Sequence, residues 1–307
     1  MKYIFGPVPS RRLGFSLGVD IIPYKTCTFD CIYCELGKTT CKTIESADTI
    51  PADAVLKELE TVLSASPLTL DYITLSGSGE PTLNPDLGLI IKAIKRLTSV
   101  PVALITNSSL LFKDAVLDGV LTADVVVPSL DAHDPVVFQA VNRPHPSVTF
   151  EQVIAGLINL GKAKGPRVWL EVLLLKGIND SPEQIDRFFN YIEKINPEKI
   201  QLNTVVRPPV ENYACPLPYS RLKEIQKAWG PRAEIIAGSS RENTQPTGSV
   251  WESEIREMVA RRPCTAEDIA QCLGLPPEET IGLLGRLIQD KKVIFEIFDH
   301  QGFYRGA

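Results

Sequence analysis

Six short apolar runs alternate with six longer amphipathic stretches through most of this 307-residue chain, and that rhythm is the strongest constraint on its fold. Leu17–Ile22, Asp71–Leu75, Pro101–Ile105, Asp124–Pro128, Arg167–Leu174 and Lys199–Asn203 read as strands. Ala52–Ala65, Asp86–Leu97, Lys113–Asp118, Phe150–Lys162, Pro182–Ile195 and Ser220–Trp229 read as helices. Ser181-Pro182 and Asn84-Pro85 each set a proline at the first helical position behind a capping side chain. Parallel strands need a crossover between them, so this alternation predicts a parallel sheet. The nearly unbroken hydrophobicity of Val168–Leu175 fits a strand covered on both faces. An α/β fold follows, either a (β/α) barrel or an open sheet.

The rhythm stops at residues 239–249, a polar stretch rich in Gly, Ser and Thr that reads as a linker between domains 1–238 and 250–307. Helices over Val250–Ala260, Thr265–Cys272 and Pro277–Gln289, then strands over Val293–Phe298 and Phe303–Arg305, predict a winged-helix-like tail. Thr265 and Asp268 have the spacing of a capping box. Winged helices commonly read DNA through a helix in the major groove. Here the candidate reading helix, Glu278–Gln289, has Arg286 as its one basic residue, which is thin for neutralising phosphates. Docking of a protein or peptide substrate, or packing on the barrel, is the better expectation for the tail.

With 44% hydrophobic and 22% charged residues the chain is globular rather than disordered or fibrous. Its net charge of −5 argues against bulk electrostatic binding of long nucleic acid. No run of eighteen apolar residues occurs, and the N-terminal stretch lacks the apolar core of a secretory signal, so a cytoplasmic protein with no membrane partner is expected. Seven cysteines cannot all pair within one molecule; reduced thiols, some of them metal ligands, are expected.

The motif richest in chemistry is Cys27-Thr-Phe-Asp-Cys31-Ile-Tyr-Cys34, directly after the first expected strand. Three thiolates at these spacings can converge on one compact metal centre from a single loop. A structural zinc site wants four ligands, and Cys41 is the fourth within reach of that alternative. A [4Fe–4S] cubane held by three cysteines leaves one iron open to an outside ligand. Cys264 and Cys272 read as small buried hydrophobes of the tail. The three histidines show no metal-ligand spacing, and no Walker-type phosphate loop, serine elbow or HExxH helix is present.

The cysteine spacing, with an aromatic residue just before the third cysteine, resembles the signature of the radical S-adenosylmethionine (radical SAM) superfamily. The resemblance implies a partial (β/α)6 barrel whose cluster is ligated by Cys27, Cys31 and Cys34, with the unique iron binding the amino and carboxylate groups of SAM. It further implies that an electron from the cluster cleaves the sulfonium to a 5′-deoxyadenosyl radical, which abstracts a hydrogen atom from the substrate. Ser78-Gly79-Glu80-Pro81 looks like the superfamily's Gly-Gly-Glu-type motif, in which Glu80 would hold the SAM ammonium and Gly79 would allow close backbone approach. Thr106-Asn107 and Ser129-Leu130-Asp131, at the ends of later strands, are similar to segments that bind SAM's carboxylate and ribose in the cyclase of molybdopterin biosynthesis. Tyr33 would lie by the adenine, together with backbone before Lys176-Gly177. A flavodoxin or ferredoxin-type electron donor is implied as a partner.

Within the superfamily, Gly6-Pro7-Val8-Pro9-Ser10-Arg11-Arg12-Leu13-Gly14, Cys34-Glu35-Leu36-Gly37 and Asn142-Arg143-Pro144 look like a group of iron–sulfur oxidoreductases distantly allied to the tRNA wyosine-forming enzymes. That alliance leaves two substrate classes open, a tRNA base or a small metabolite, peptide or protein. Arg11, Arg12, Arg143 and Arg207 are candidates to line a pocket for an anionic group, or else ordinary surface or structural arginines. Cys215 and Cys41 are candidate hydrogen-atom donors to a substrate radical. A different class of function is an iron–sulfur sensor whose tail binds DNA; the SAM-like motifs at the strand ends speak against it.

Overall fold

The computed structural model describes residues 2–46, 50–65, 69–237 and 251–307. The linker expected at 239–249, and Val250, the expected first residue of the tail, lie outside the described residues. The chain opens with β1 (Ile4–Ser10), β2 (Gly14–Val19), β3 (Thr26–Cys27) and β4 (Cys41–Lys42). Next come α1 (Ala52–Ala65), β5 (Tyr72–Leu75), a 3-10 turn (Pro81–Leu83), α2 (Leu87–Leu97), β6 (Val102–Thr106), α3 (Asp114–Val120) and β7 (Val125–Pro128). They are followed by α4 (Pro135–Asn142), α5 (Phe150–Lys162), β8 (Arg167–Leu174), α6 (Pro182–Ile195), β9 (Lys199–Thr204), α7 (Tyr219–Trp229) and β10 (Ala233–Ile235).

The main sheet has the order β1-β2-β5-β6-β7-β8-β9-β10. Every pairing in it is parallel except β1 with β2. The six strands read from the sequence are the consecutive run β2 and β5 to β9, the six strands of a partial (β/α) barrel. One arginine measures the curl of that sheet. Arg12, on the β1–β2 turn, bonds Glu171 on β8, four strand positions from β2. Four steps across a flat sheet are about 19 Å, far beyond an arginine side chain, so the sheet must bend back on itself. The main core holds Leu17, Ile73, Leu104, Val126, Leu170 and Leu202 from the strands, packed with Ile90, Ile94, Leu157, Phe188 and Ile192 from the helices. Each such side chain contributes about 1.5–3 kcal/mol when fully buried.

Elements absent from the sequence expectation are β1, β3, β4, α4, β10 and the 3-10 turn. β1 holds Pro7 and Pro9 and slips register between Phe5 and Val8, which an edge strand tolerates because one side of it needs no partner. α4 is a second helix in the β7–β8 crossover that α5 already fills, and β10 has only three residues, so neither fits the strand–helix alternation. The proline-cap reading of Asn84-Pro85 is corrected: α2 begins at Leu87 behind Asp86. The Asn84 amide instead donates to Ile21 O at 2.9 Å and to Ile50 O at 3.3 Å, tying the segment after β2 to the start of α1.

The tail forms α8 (Trp251–Arg261), α9 (Ala266–Leu273), α10 (Pro277–Gln289) and a hairpin of β11 (Val293–Phe298) with β12 (Gln301–Gly306), the helix and hairpin order expected from the sequence. The Thr265–Asp268 capping box is formed. Ile255, Val259, Ile269, Leu284, Leu287 and Val293 make a hydrophobic cluster separate from the main core. The tail also touches the barrel: the Cys272 thiol donates to Pro7 O at 3.1 Å, and Arg261 lies 4.8 Å from the Phe5 ring centroid. Among the described residues no helix is long and apolar enough to cross a membrane.

Candidate active site

The segment after β2 carries all three motif cysteines, and backbone hydrogen bonds tie it to the turn after β5. Lys25 N donates to Ser78 O at 2.7 Å, and Glu80 N donates to Thr26 O at 3.1 Å. This approach explains Gly79: a Cβ there would sit 1.9 Å from Thr26 O, which nothing short of separating the two segments could relieve. Ser78, beside it, bonds the buried Asp20 carboxylate through both its hydroxyl and its N–H.

Each motif sulfur has a nitrogen donor of its own. Asn107 Nδ2 lies 3.5 Å from Cys27 Sγ, Asn142 Nδ2 lies 3.6 Å from Cys31 Sγ, and Lys25 Nζ lies 3.2 Å from Cys34 Sγ. Burial pushes the Cys27 thiol up to about 12, with the neighbouring Glu80 and Cys34 adding to it. Cys31 is driven up further by burial and by the nearby Cys27, Asp131 and Cys34. Only a strong local positive charge deprotonates thiols so placed, which is what a metal centre supplies. A single zinc, with Zn–S near 2.3 Å, needs sulfurs about 3.8 Å apart. Among the described residues no group of three or more Cys, His, Asp or Glu is gathered closely enough to hold one ion, and Cys41 is exposed. Three thiols that feel one another's charge, each with an N–H donor, suit a wider cluster better than one ion.

Glu80 is 2% exposed and caps the 3-10 turn at Pro81. Its Oε1 accepts from Thr82 N, the Thr82 hydroxyl and the Thr106 hydroxyl, while Oε2 accepts only Asn107 N, at 2.8 Å. One carboxylate oxygen is crowded and the other keeps a free acceptor direction. Burial raises the Glu80 carboxyl above its ordinary value despite these donors.

The other strand-end residues singled out by sequence gather at the same end of the sheet, but most of their polar groups are spent on the protein. The Thr106 hydroxyl is used by Glu80, and the Asn107 amide by Thr28 and Cys27. Asp131 accepts from the Tyr33 hydroxyl, from Asn142 Nδ2 at 3.2 Å and from Leu173 N at 3.2 Å. Burial, partly offset by these bonds, lifts its carboxyl to about 6. Ser129, half-buried, keeps its hydroxyl free among the described residues.

Cys41 and Cys215 are both exposed, and the nearest acceptor to the Cys215 thiol is Asn212 O at 4.0 Å. Neither joins the buried network. Arg143 is likewise apart, paired with Glu211 at 2.7 Å and bonded to Tyr213, whereas Arg11, Arg12 and Arg207 do come together. Sequence reasoning missed Lys25 and Asn142 as donors to the sulfurs, and Glu171 and Asn203 as barrel-lining partners of the arginines. The trace of Asn142 in the sequence was its place in Asn142-Arg143-Pro144, one of the segments that carry the resemblance to the iron–sulfur oxidoreductases.

Residues 21–189 match the family described as the Radical SAM superfamily. The chain is 36% identical over 302 residues to a Brachyspira hyodysenteriae protein named GTPase Obg, an alignment covering 96% of this chain and 44% of that protein. The chain therefore spans less than half of that relative. It is 30% identical over 312 residues to UPF0026 protein MJ1312 of Methanocaldococcus jannaschii, covering 99% of this chain and 96% of that one. The crystal structure of a radical SAM methyltransferase from Sphaerobacter thermophilus superposes with a TM-score of 0.52 at 17% identity, covering 72% of this chain and 66% of that chain, which is a likeness of fold.

Proposed function

The chain belongs to the radical SAM superfamily, enzymes that use a [4Fe–4S] cluster and SAM, and from that premise we propose that Cys27, Cys31 and Cys34 hold the cluster and that Glu80 receives the SAM ammonium. The observation that carries this reading is the pair of backbone bonds joining the cysteine segment to the Glu80 turn, with a nitrogen donor at each sulfur. A cluster held by Cys27, Cys31 and Cys34 would, when reduced, supply the electron for cleavage of the SAM sulfonium, the source of a 5′-deoxyadenosyl radical able to abstract a hydrogen atom from a substrate.

The protein's own groups have distinct tasks in this reading. Glu80 Oε2, with its free acceptor direction, takes an ammonium N–H, and that positive charge offsets the cost of keeping the carboxylate buried. The free Ser129 hydroxyl suits a carboxylate or a ribose oxygen. Thr106 and Asn107 act by fixing Glu80 and Cys27. Asp131 acts by fixing Tyr33 and Asn142 beside Cys31, and Tyr33 offers its ring to the adenine. Cys215 and Cys41 are the thiols within this proposal that could return a hydrogen atom to a substrate radical. The separate hydrophobic cluster of the tail supports its reading as a winged-helix-like unit over 250–307, following a barrel over 1–238. Radical SAM enzymes generally need a reductant, and a flavodoxin or ferredoxin suits that part. The GTPase name of one relative does not carry over, because this chain has no Walker loop and spans 44% of that protein.

The test is anaerobic reconstitution with iron and sulfide, then incubation with SAM and dithionite. Formation of 5′-deoxyadenosine, lost in Cys31→Ala, is the expected result. A reconstituted protein with no SAM-responsive cluster signal and no 5′-deoxyadenosine would end the reading.

A further inference from the structure

Four arginines and three carboxylates meet where the β1–β2 turn, the segment after β9 and the tail converge. Arg12 is bonded twice to Glu171, with Nη2 at 2.6 Å from Oε1. Arg207 reaches Glu35 and Asp268, each at 3.3 Å, and Arg262 approaches Glu35 at 4.0 Å. Arg11 has no carboxylate. Its one partner among the described residues is Asn203 Oδ1 at 3.4 Å, and Asn203 spends its amide donor on Glu171. Arg207 is 7% exposed, and its Nε has no acceptor among the described residues. The group thus holds one more positive charge than negative, with a buried N–H left over. Desolvation and the neighbouring Arg12 and Arg207 pull the Arg11 guanidinium down to about 9, against the opposing pull of Glu35 and Glu171.

We infer that Arg11 and Arg207 form a receptor for a compact oxyanion, a carboxylate or a phosphate carried by the substrate. A guanidinium presents parallel N–H groups that match two oxygens of such an anion at once, and one anion would balance the surplus charge. The location suits a reacting molecule. Arg207 lies just beyond the C-terminal end of β9, the end at which parallel sheets bind their ligands, and its partner Glu35 directly follows Cys34. Arg11 is only partly buried, so an entering anion can reach it. That the anion belongs to a substrate rests on the radical SAM reading; anion binding itself does not.

The two are tested separately on the anaerobically reconstituted holoprotein. Thermal unfolding is followed while inorganic phosphate, and in a second arm acetate, is titrated against sodium chloride of equal ionic strength. A saturable rise in Tm with one of the two anions is expected, and which one identifies the oxyanion. Arg11→Gln is expected to weaken that binding at least tenfold while leaving the anion-free Tm unchanged or higher, since it removes an uncompensated charge; Arg11→Lys should restore part of the binding. No saturable rise with either anion, an equal rise in Arg11→Gln, or a lowered anion-free Tm in that variant overturns the receptor. Formation of 5′-deoxyadenosine by the unaltered holoprotein reports on the radical reading alone.

Discussion

Glu80 and Arg11 are both ionisable groups drawn away from water, and the fold treats them in opposite ways. Glu80 receives four donors from three neighbouring residues, one of them its own cap partner. Among the described residues Arg11 donates a single long bond, to Asn203 Oδ1, an oxygen that also accepts from Thr204 N. A buried carboxylate with its donors in place is a positioned part. A guanidinium short of acceptors is a site at which the fold waits for another molecule's atoms, because unmade charged hydrogen bonds are costly.

That contrast can be broken most sharply at Glu171, the carboxylate that Arg11's neighbour does have. Glu171→Ala leaves Arg12 without its counter-ion and is expected to cost about 3–5 kcal/mol in urea unfolding. A loss under 1 kcal/mol would show that this ion pair is not what closes the barrel. Gly79→Ala comes next: the added Cβ meets Thr26 O at 1.9 Å, and overpacking of this kind costs about 1–3 kcal/mol, read as a lowered Tm together with impaired cluster loading. Asn142→Ala is expected to cost about 1–3 kcal/mol through Asp131 and, by removing an N–H from Cys31 Sγ, to move the cluster's reduction potential to a more negative value in spectroelectrochemical titration. The smallest effect belongs to Arg143→Ala at the half-exposed Glu211 pair, about 0.2–1 kcal/mol by denaturant titration and weaker in high salt.

Acid titration sharpens the same comparison. Burial alone would raise Glu171, but Arg12 and Asn203 outweigh it and hold its carboxyl below the ordinary range. A group lowered on folding stabilises the native state above its unfolded pKa, near 4.3, and loses that contribution as pH falls through the lower folded value. Stability measured by urea unfolding from pH 5 downward should therefore fall less steeply in Glu171→Ala than in the unaltered protein.

The parallel sheet was legible because each barrel strand is covered on both faces and most crossover helices are long enough to show their period. The expected and observed bounds agree to the residue at Arg167–Leu174, Phe150–Lys162 and Pro182–Ile195. β1 hid behind two prolines that only an edge position permits, and α4 behind α5, which already supplies the crossover helix between β7 and β8. At the site, the cysteines stood out by their spacing and Glu80 by the resemblance of Ser78-Gly79-Glu80-Pro81 to a family motif, and backbone bonds bring the two segments together. The role of Asn142 could not be read in this way, since its partner Cys31 lies 111 positions away and only the closed barrel brings them together. The four arginines of the sequence reading divided for the same reason: Arg143 found Glu211 and Tyr213, and the other three met around Glu171, Glu35 and Asp268.

The two backbone bonds between Lys25 and Ser78 and between Thr26 and Glu80 have a mechanical consequence. They clamp the chain that carries the first cysteine to the chain that carries the glutamate, so neither can tilt alone. In the proposed site, the spacing between a cluster on Cys27 and an ammonium on Glu80 would therefore be set by backbone bonds rather than by any side chain that a rotamer change could release.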